Sequence, residues 1–280
     1  MTIGEALKQI RHELYLTQEQ MCAGVVTRSF YAKVESGRNR ISADKLTEIL
    51  FEHDIDITYF YQLLRNTYSS QSKLKENDLN QKMNQAFNSG KIELIELIEQ
   101  NYHKILLQSN SSILKLRAMI SVANLKDELN LIDPKVKEKL FVEFDEGANW
   151  MTRPDLLRLF TDTMPLWDSS DLSFFIGRLL AKVQKEHNIP ELLQERYLRV
   201  FENYLAVYYK KNNPVKTIEI NVKKTFDYIL NLEPTVHFLL YKIAAVYLQN
   251  LFLGKKEEAQ KIKDEMEKYG YQDIVKTWPK

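Results

Sequence analysis

The sequence predicts an all-α protein, a five-helix domain built on a helix-turn-helix and followed by an α-solenoid. Three observations carry that prediction. Polar caps and glycines bracket two short helices within residues 17–37; apolar residues from Leu79 onward recur at helical rather than strand spacing; and prolines punctuate the second half at near-regular intervals.

In chain order, Ile3, Leu7, Ile10 and Leu14 form one apolar stripe, the first helix. Thr17 caps a short helix over Gln18, Glu19 and Gln20, a break follows at Gly24 to Val26, and Thr27 caps a second helix that stops at Gly37. At about 100° per residue, Tyr31 and Val34 of that second helix point inward, while Ser29, Ala32 and Lys33 point outward with Arg28 beside them. Phe30 sits at the flank and fits either face. After the polar turn Arg38, Asn39 and Arg40, Ser42 caps a fourth helix through Leu46, Ile49 and Leu50, and Thr58 begins a short fifth that ends near Leu64.

The outward residues have the chemistry of a DNA reader. Arg and Lys suit the edge of guanine or a phosphate, Ser donates or accepts, and the Ala32 methyl can touch a thymine methyl. Charge is polarised to match: residues 28–40 sum to +3, whereas Asp44, Glu48, Glu52, Asp54 and Asp56 against Lys45 give −4. The candidate DNA contacts are Gln18, Thr27, Arg28, Ser29, Lys33, Arg38 and Arg40.

The segment Gln18 to Gly37 resembles the Xre/phage-repressor helix-turn-helix. The resemblance implies that Gln18 steadies a phosphate contact, that Arg28, Ser29 and Lys33 face bases and phosphates, and that Arg11 and Glu35 form an internal ion pair tying helix one to helix three. Met21 and Cys22 stand where the family more often has Leu and Ala, and acid outweighs base after Ser42. The wider string GVVTRSFYAKVESGRNRIS, with a long all-helical chain behind it, resembles the Rgg/MutR regulators of Gram-positive bacteria.

Residues 1–65 are therefore read as the DNA-binding domain. Residues 66–78 are polar and read as a linker whose latter half, from Lys73, fits a helix that leads into the second domain, residues 79–280. There Pro134, Pro154, Pro190, Pro214 and Pro234 sit where a first-turn proline opens a helix, and Pro165 ends one. With further starts near Ser170 and Lys255, helices begin 17 to 24 residues apart, so that pairs repeat at the spacing of an α-solenoid. Earlier pairs are read at 79–108 and 112–148. The last pair resembles a tetratricopeptide unit, with Gly254 and Ala259 at its turn and small-residue positions and Tyr247 where a small residue is expected.

Composition bounds the rest. The chain has 280 residues, 44% hydrophobic and 28% charged, which is globular and long enough for two cores. A net charge of +1 confines any nucleic-acid site to a local patch. No two glycines lie closer than thirteen residues, which excludes dinucleotide and phosphate loops, and five scattered histidines with one cysteine give no zinc spacing. We therefore expect no cofactor, no metal and no catalytic set. Cys22 occupies a position of close helix packing, where a buried, inert thiol is expected and a redox switch is the alternative. No signal peptide is read at the start, and Phe238 to Leu253, the most apolar stretch, is interrupted by Lys242, Gln249 and Asn250, so a cytoplasmic protein is expected.

A solenoid binds on the face lined by the first helix of each pair. Trp150, Arg153, Arg199, Asn203, Tyr204, Tyr208 and Lys242 are the candidates there to hold a peptide, with Phe160 and Phe201 supplying apolar pockets. The Rgg/MutR resemblance implies a short, largely hydrophobic signalling peptide as the ligand, and NWMTRPDLLRLF resembles the family's Trp-containing helix start. The expected function is a homodimeric regulator that binds a roughly two-fold operator under peptide control. The alternative is a helical-repeat regulator that acts on a protein partner.

Overall fold

A computed structural model describes residues 1–89, 97, 100, 101, 103, 104, 112–145, 150–186, 188–213 and 217–280. All regular elements among them are helical. The chain divides into two compact units, Met1–Asn77 and Asp78–Lys280.

The first unit holds α1 (Ile3–Glu13), α2 (Gln18–Cys22), α3 (Arg28–Glu35), α4 (Ala43–Glu52) and α5 (Ile57–Tyr68). Side chains cap all five starts. Thr2 and Thr17 form capping boxes with Glu5 and Gln20, Thr27 and Ser42 accept from the third backbone N–H of their helices, and Asp56 accepts from Thr58 and Tyr59. Gly24 and Gly37 adopt φ of +74° and +73°, the left-handed conformation that lets the chain turn after α2 and stop after α3. Leu7, Ile10, Met21, Cys22, Tyr31, Val34, Ile49 and Phe60 fill the core. The α1–α3 crossing is close: a Cβ on Gly4 would stand 2.0 Å from the Val34 carbonyl oxygen, so only glycine fits.

The expected linker is mostly helical. α5 continues through Tyr68, and α6 runs from Gln71 to Ser89, placing Leu79, Met83 and Ala86 on a narrow buried stripe. The polar composition of residues 66–78 is the solvated side of these helices.

The second unit continues with α7 (Ser112–Leu125), α8 (Pro134–Asp145), α9 (Pro154–Thr163), α10 (Ser169–Lys185), α11 (Glu191–Asn212), α12 (Ile220–Asn231), α13 (Leu239–Phe252), α14 (Lys256–Lys268) and α15 (Gln272–Val275). α7 packs on α9, α9 on α11 and α11 on α13, forming one layer; α10 packs on α12 in the other. This two-layer alternation is that of helix pairs in a solenoid. Pro134 and Pro154 open their helices, Pro190 caps α11, and Pro165 sits in the 3-10 turn that ends α9. Pro234 does not open a helix. It precedes a 3-10 turn at Val236–Phe238, and α13 begins only at Leu239. The start read at Pro214, much of the pair read at 79–108, and His187 lie outside the described residues; α12 begins at Ile220.

Candidate DNA-binding and ligand sites

The candidate recognition face of the first unit is built on α3. Arg28, Ser29 and Lys33 are exposed on it, Thr27 is its exposed cap, and Arg38 and Arg40 are exposed just beyond its end. Among the described residues, the side chains of Arg28, Lys33, Arg38 and Arg40 form no hydrogen bond or ion pair, so four cationic groups are available to phosphates or bases. Phe30 is half-buried against the core, which turns it inward.

The opposite side of α3 is fixed by a charged network. Arg11 donates to Glu35 from Nε at 2.6 Å and Nη2 at 3.2 Å, and Nη1 donates to the Leu16 carbonyl at 3.0 Å. Gln18 Nε2 donates to the same Glu35 carboxylate at 2.8 Å. The Gln18 amide is therefore engaged internally, linking the start of α2 to the end of α3. Burial alone would raise the Glu35 carboxyl, but Arg11 and Gln18 hold it below the usual range. The Tyr31 phenol beside it is pushed far up by burial and by the Glu35 charge.

Cys22 is buried and donates from Sγ to the Gln18 carbonyl at 2.9 Å; burial, reinforced by Glu19, raises its thiol above the ordinary value. A thiol held protonated and covered is inert. We expect maleimide to label Cys22 only after the protein is unfolded, as read by mass spectrometry; native labelling would show that α2 opens.

In the second unit, a cleft of about 330 Å³ opens on the α7, α9 and α11 layer. Its charged lining is Arg117 from α7, Arg158 and Asp162 from α9, and Glu195, Arg196 and Arg199 from α11. Arg117 is answered by Asp162 at 2.7 Å and Asn80 at 2.6 Å, and Arg199 by Glu195 at 3.3 Å. Arg158 and Arg196 form no hydrogen bond or ion pair among the described residues. Burial lowers the Arg158 pKa, and the neighbouring Arg117 guanidinium lowers it further. The cleft therefore carries four guanidiniums against two carboxylates and favours an anionic group.

No protein-family model and no curated protein sequence matches the chain. Solved structures match over nearly its full length. The Streptococcus dysgalactiae SHP pheromone receptor Rgg2 has a TM-score of 0.68 at 9% identity, covering 98% of both chains. The chain has the fold of Rgg2. A Listeria monocytogenes EGD-e protein described as a transcriptional regulator gives a TM-score of 0.70 at 16% identity, covering 98% of this chain and 93% of that one. A bacterial peptide pheromone/receptor complex gives 0.66 at 15% identity, covering 98% and 95%.

Within this Rgg2-like fold, the expected peptide contacts divide. Arg199 and Asn203 line the cleft. Trp150 does not: it is fully buried, 5.0 Å from Phe160 and 5.7 Å from Phe144 between ring centroids. Tyr204 is fully buried in the core and Tyr208 stacks on Phe252 at 6.0 Å. Phe160 and Phe201 are fully buried as well. Arg153 is an exposed cap of α9 paired with Asp155 at 2.7 Å, and Lys242 Nζ donates to the Leu230 and Leu232 carbonyls, closing the end of α12. Large aromatics spaced for an inner face went to the core because each removes more apolar surface from water there than at a groove. Sequence reading missed Arg117, Arg158, Asp162 and Arg196. Arg158 and Asp162 at i, i+4 on one helix face were the available signal.

Tyr247, where the tetratricopeptide pattern has a small residue, is buried against the C-terminal segment. Its ring lies 4.8 Å from that of Trp278 and its hydroxyl donates to the Pro279 carbonyl. No helix among the described residues is long and apolar enough to cross a membrane, and those residues hold no group of His, Cys, Asp or Glu able to bind a metal.

Proposed function

We propose that the protein is a cytoplasmic, homodimeric, sequence-specific DNA-binding transcription regulator. A short signalling peptide bound in the second unit controls its activity. The observation that carries the reading is the exposed α3 face, with Arg28, Lys33, Arg38 and Arg40 unengaged beside Ser29, on a helix anchored from behind by the Arg11–Glu35 pair. One such helix reads too few bases for a useful site, whereas two in a dimer read enough. The arginine cleft in an Rgg2-like solenoid supplies the effector site, with Arg199 and Asn203 among its contacts. Effector binding biases the placement of the two recognition helices, a shift of population between DNA-competent and DNA-poor arrangements.

The salt dependence of DNA binding tests this reading. Each phosphate neutralised contributes about −0.9 to the slope of log K against log salt, so a dimer in which Lys33, Arg38 and Arg40 of each protomer meet phosphates and Arg28 meets a base gives a slope of about −5. A flat dependence would remove DNA as the ligand of α3 and favour a protein partner.

A further inference from the structure

Beside the arginine cleft lies a carboxyl group with no partner of its own. Glu202 follows Arg199 by one turn of α11 and lines a smaller cleft of about 60 Å³ with Asn203, Ala244, Leu248 and Trp278. Asn203 lines both clefts, which are therefore adjacent. Glu202 has no hydrogen bond or ion pair among the described residues, although the Arg199 guanidinium lies in its field. Burial pushes its carboxyl up to about 7 despite the opposing pull of Arg199. A carboxylate in this setting is stabilised by a cation that brings its own hydrogen bonds. In the adjoining cleft, Arg158 on α9 and Arg196 on α11 have no hydrogen bond or ion pair among the described residues, with the Asp162 carboxylate in the field of Arg158.

Resting on the peptide-control reading above, we propose that the groove selects a bipolar peptide. Its carboxylate lies against Arg158 and Arg196, and its basic side chain lies against Glu202. The spacing follows from the helix. Six residues separate Arg196 from Glu202, a rise of about 9 Å along α11 at about 1.5 Å per residue and a turn of about 120° around it at about 100° per residue, so the two side chains leave different faces and 9 Å measures the axial distance alone. An extended chain covers that in about three residues at about 3.3 Å each. The ligand thus carries acid and base three or more residues apart, and Asn203, whose amide donates to the Arg199 carbonyl at 2.8 Å, lies where the two clefts meet.

The test is a fluorescein-labelled octapeptide panel on an apolar background, titrated against the full chain by anisotropy at fixed salt. Lysine or norleucine is placed at each separation from the acid, which is either a free C-terminus, amidated in the control, or a glutamate side chain. The wild type should bind peptides with lysine three or more residues from the acid ~10-fold more tightly than their norleucine counterparts. Whichever acid form retains affinity identifies the source of the carboxylate. Glu202→Gln should abolish the lysine advantage and leave the acid preference intact; Arg196→Gln should do the reverse; Glu202→Lys should favour glutamate in place of lysine. Each variant is to be compared at unchanged circular dichroism. Peptide binding indifferent to both charges, or a lysine advantage that survives Glu202→Gln, would overturn the inference while leaving peptide control standing. No binding by any member of the panel would overturn both.

Discussion

Glu35→Ala should destabilise the first unit by about 3–5 kcal/mol, the cost of leaving one partner of a buried ion pair unanswered. Arg11 and Glu35 are each only 8% exposed, and the carboxylate accepts from Arg11 twice and from Gln18 once. Its removal leaves the Arg11 guanidinium buried with only neutral partners, the Leu16 carbonyl at 3.0 Å and the His12 Nε2 at 3.3 Å. Against a typical domain stability of about 5–15 kcal/mol, that loss is enough to open α1 from α3. Hydrogen exchange over residues 1–77 of the full chain reads it, with protection falling across α1 and α3 and unchanged across α9 to α13. Replacing the pair by Arg11→Met with Glu35→Leu should restore most of the protection, because two apolar groups leave no buried charge.

The same pair sets an acid sensitivity. The Glu35 carboxyl is held below its ordinary 4.5 in the folded state, so its contribution is fully present above that value and is lost as pH falls through the lower folded one. The first unit should therefore lose protection more steeply in the wild type than in the Met/Leu double variant as pH falls below 4.5.

Arg28→Ala should weaken operator binding by about 1–3 kcal/mol per half-site, and by about twice that for a dimer occupying both. Arg28 is the first residue of α3, exposed beside the cap Thr27, where the start of a recognition helix meets the major groove. A residue that reads a base loses discrimination at one position when truncated, whereas a phosphate contact weakens all sequences alike and lowers the salt slope by about one. Arg38→Ala and Arg40→Ala, beyond the helix end, should show the second pattern. Equal losses of Arg28→Ala on specific and random duplexes would reassign Arg28 to the backbone.

The first unit was legible because its signals are local. Thr17, Thr27, Ser42 and Gly37 each bond within a few residues of themselves, so the sequence neighbourhood contains both partners. The solenoid periodicity was legible for the same reason at Pro134 and Pro154. It was less so at Pro234, where a proline fits an extended turn as readily as a helix start. Residues 66–78 looked like a linker because α6 buries only a thin stripe through Leu79, Met83 and Ala86, leaving its other faces as polar as a loop. The cleft was hidden in another way. Arg117, Asp162 and Arg199 converge from three helices spaced about one repeat apart, and nothing adjacent to any of them in sequence names the others. Trp150, Tyr204 and Tyr208 drew attention as aromatics among polar residues, yet burial claimed all three.

The most direct test of the account is selection of bound duplexes from a random-sequence library by the purified full-length protein. The selected pool should be enriched in a two-fold sequence whose half-sites lie about 10–10.5 base pairs apart or a multiple of that, an enrichment lost when the selection is repeated with Arg28→Ala. A pool that remains random after selection at moderate salt, with the protein folded, would contradict it.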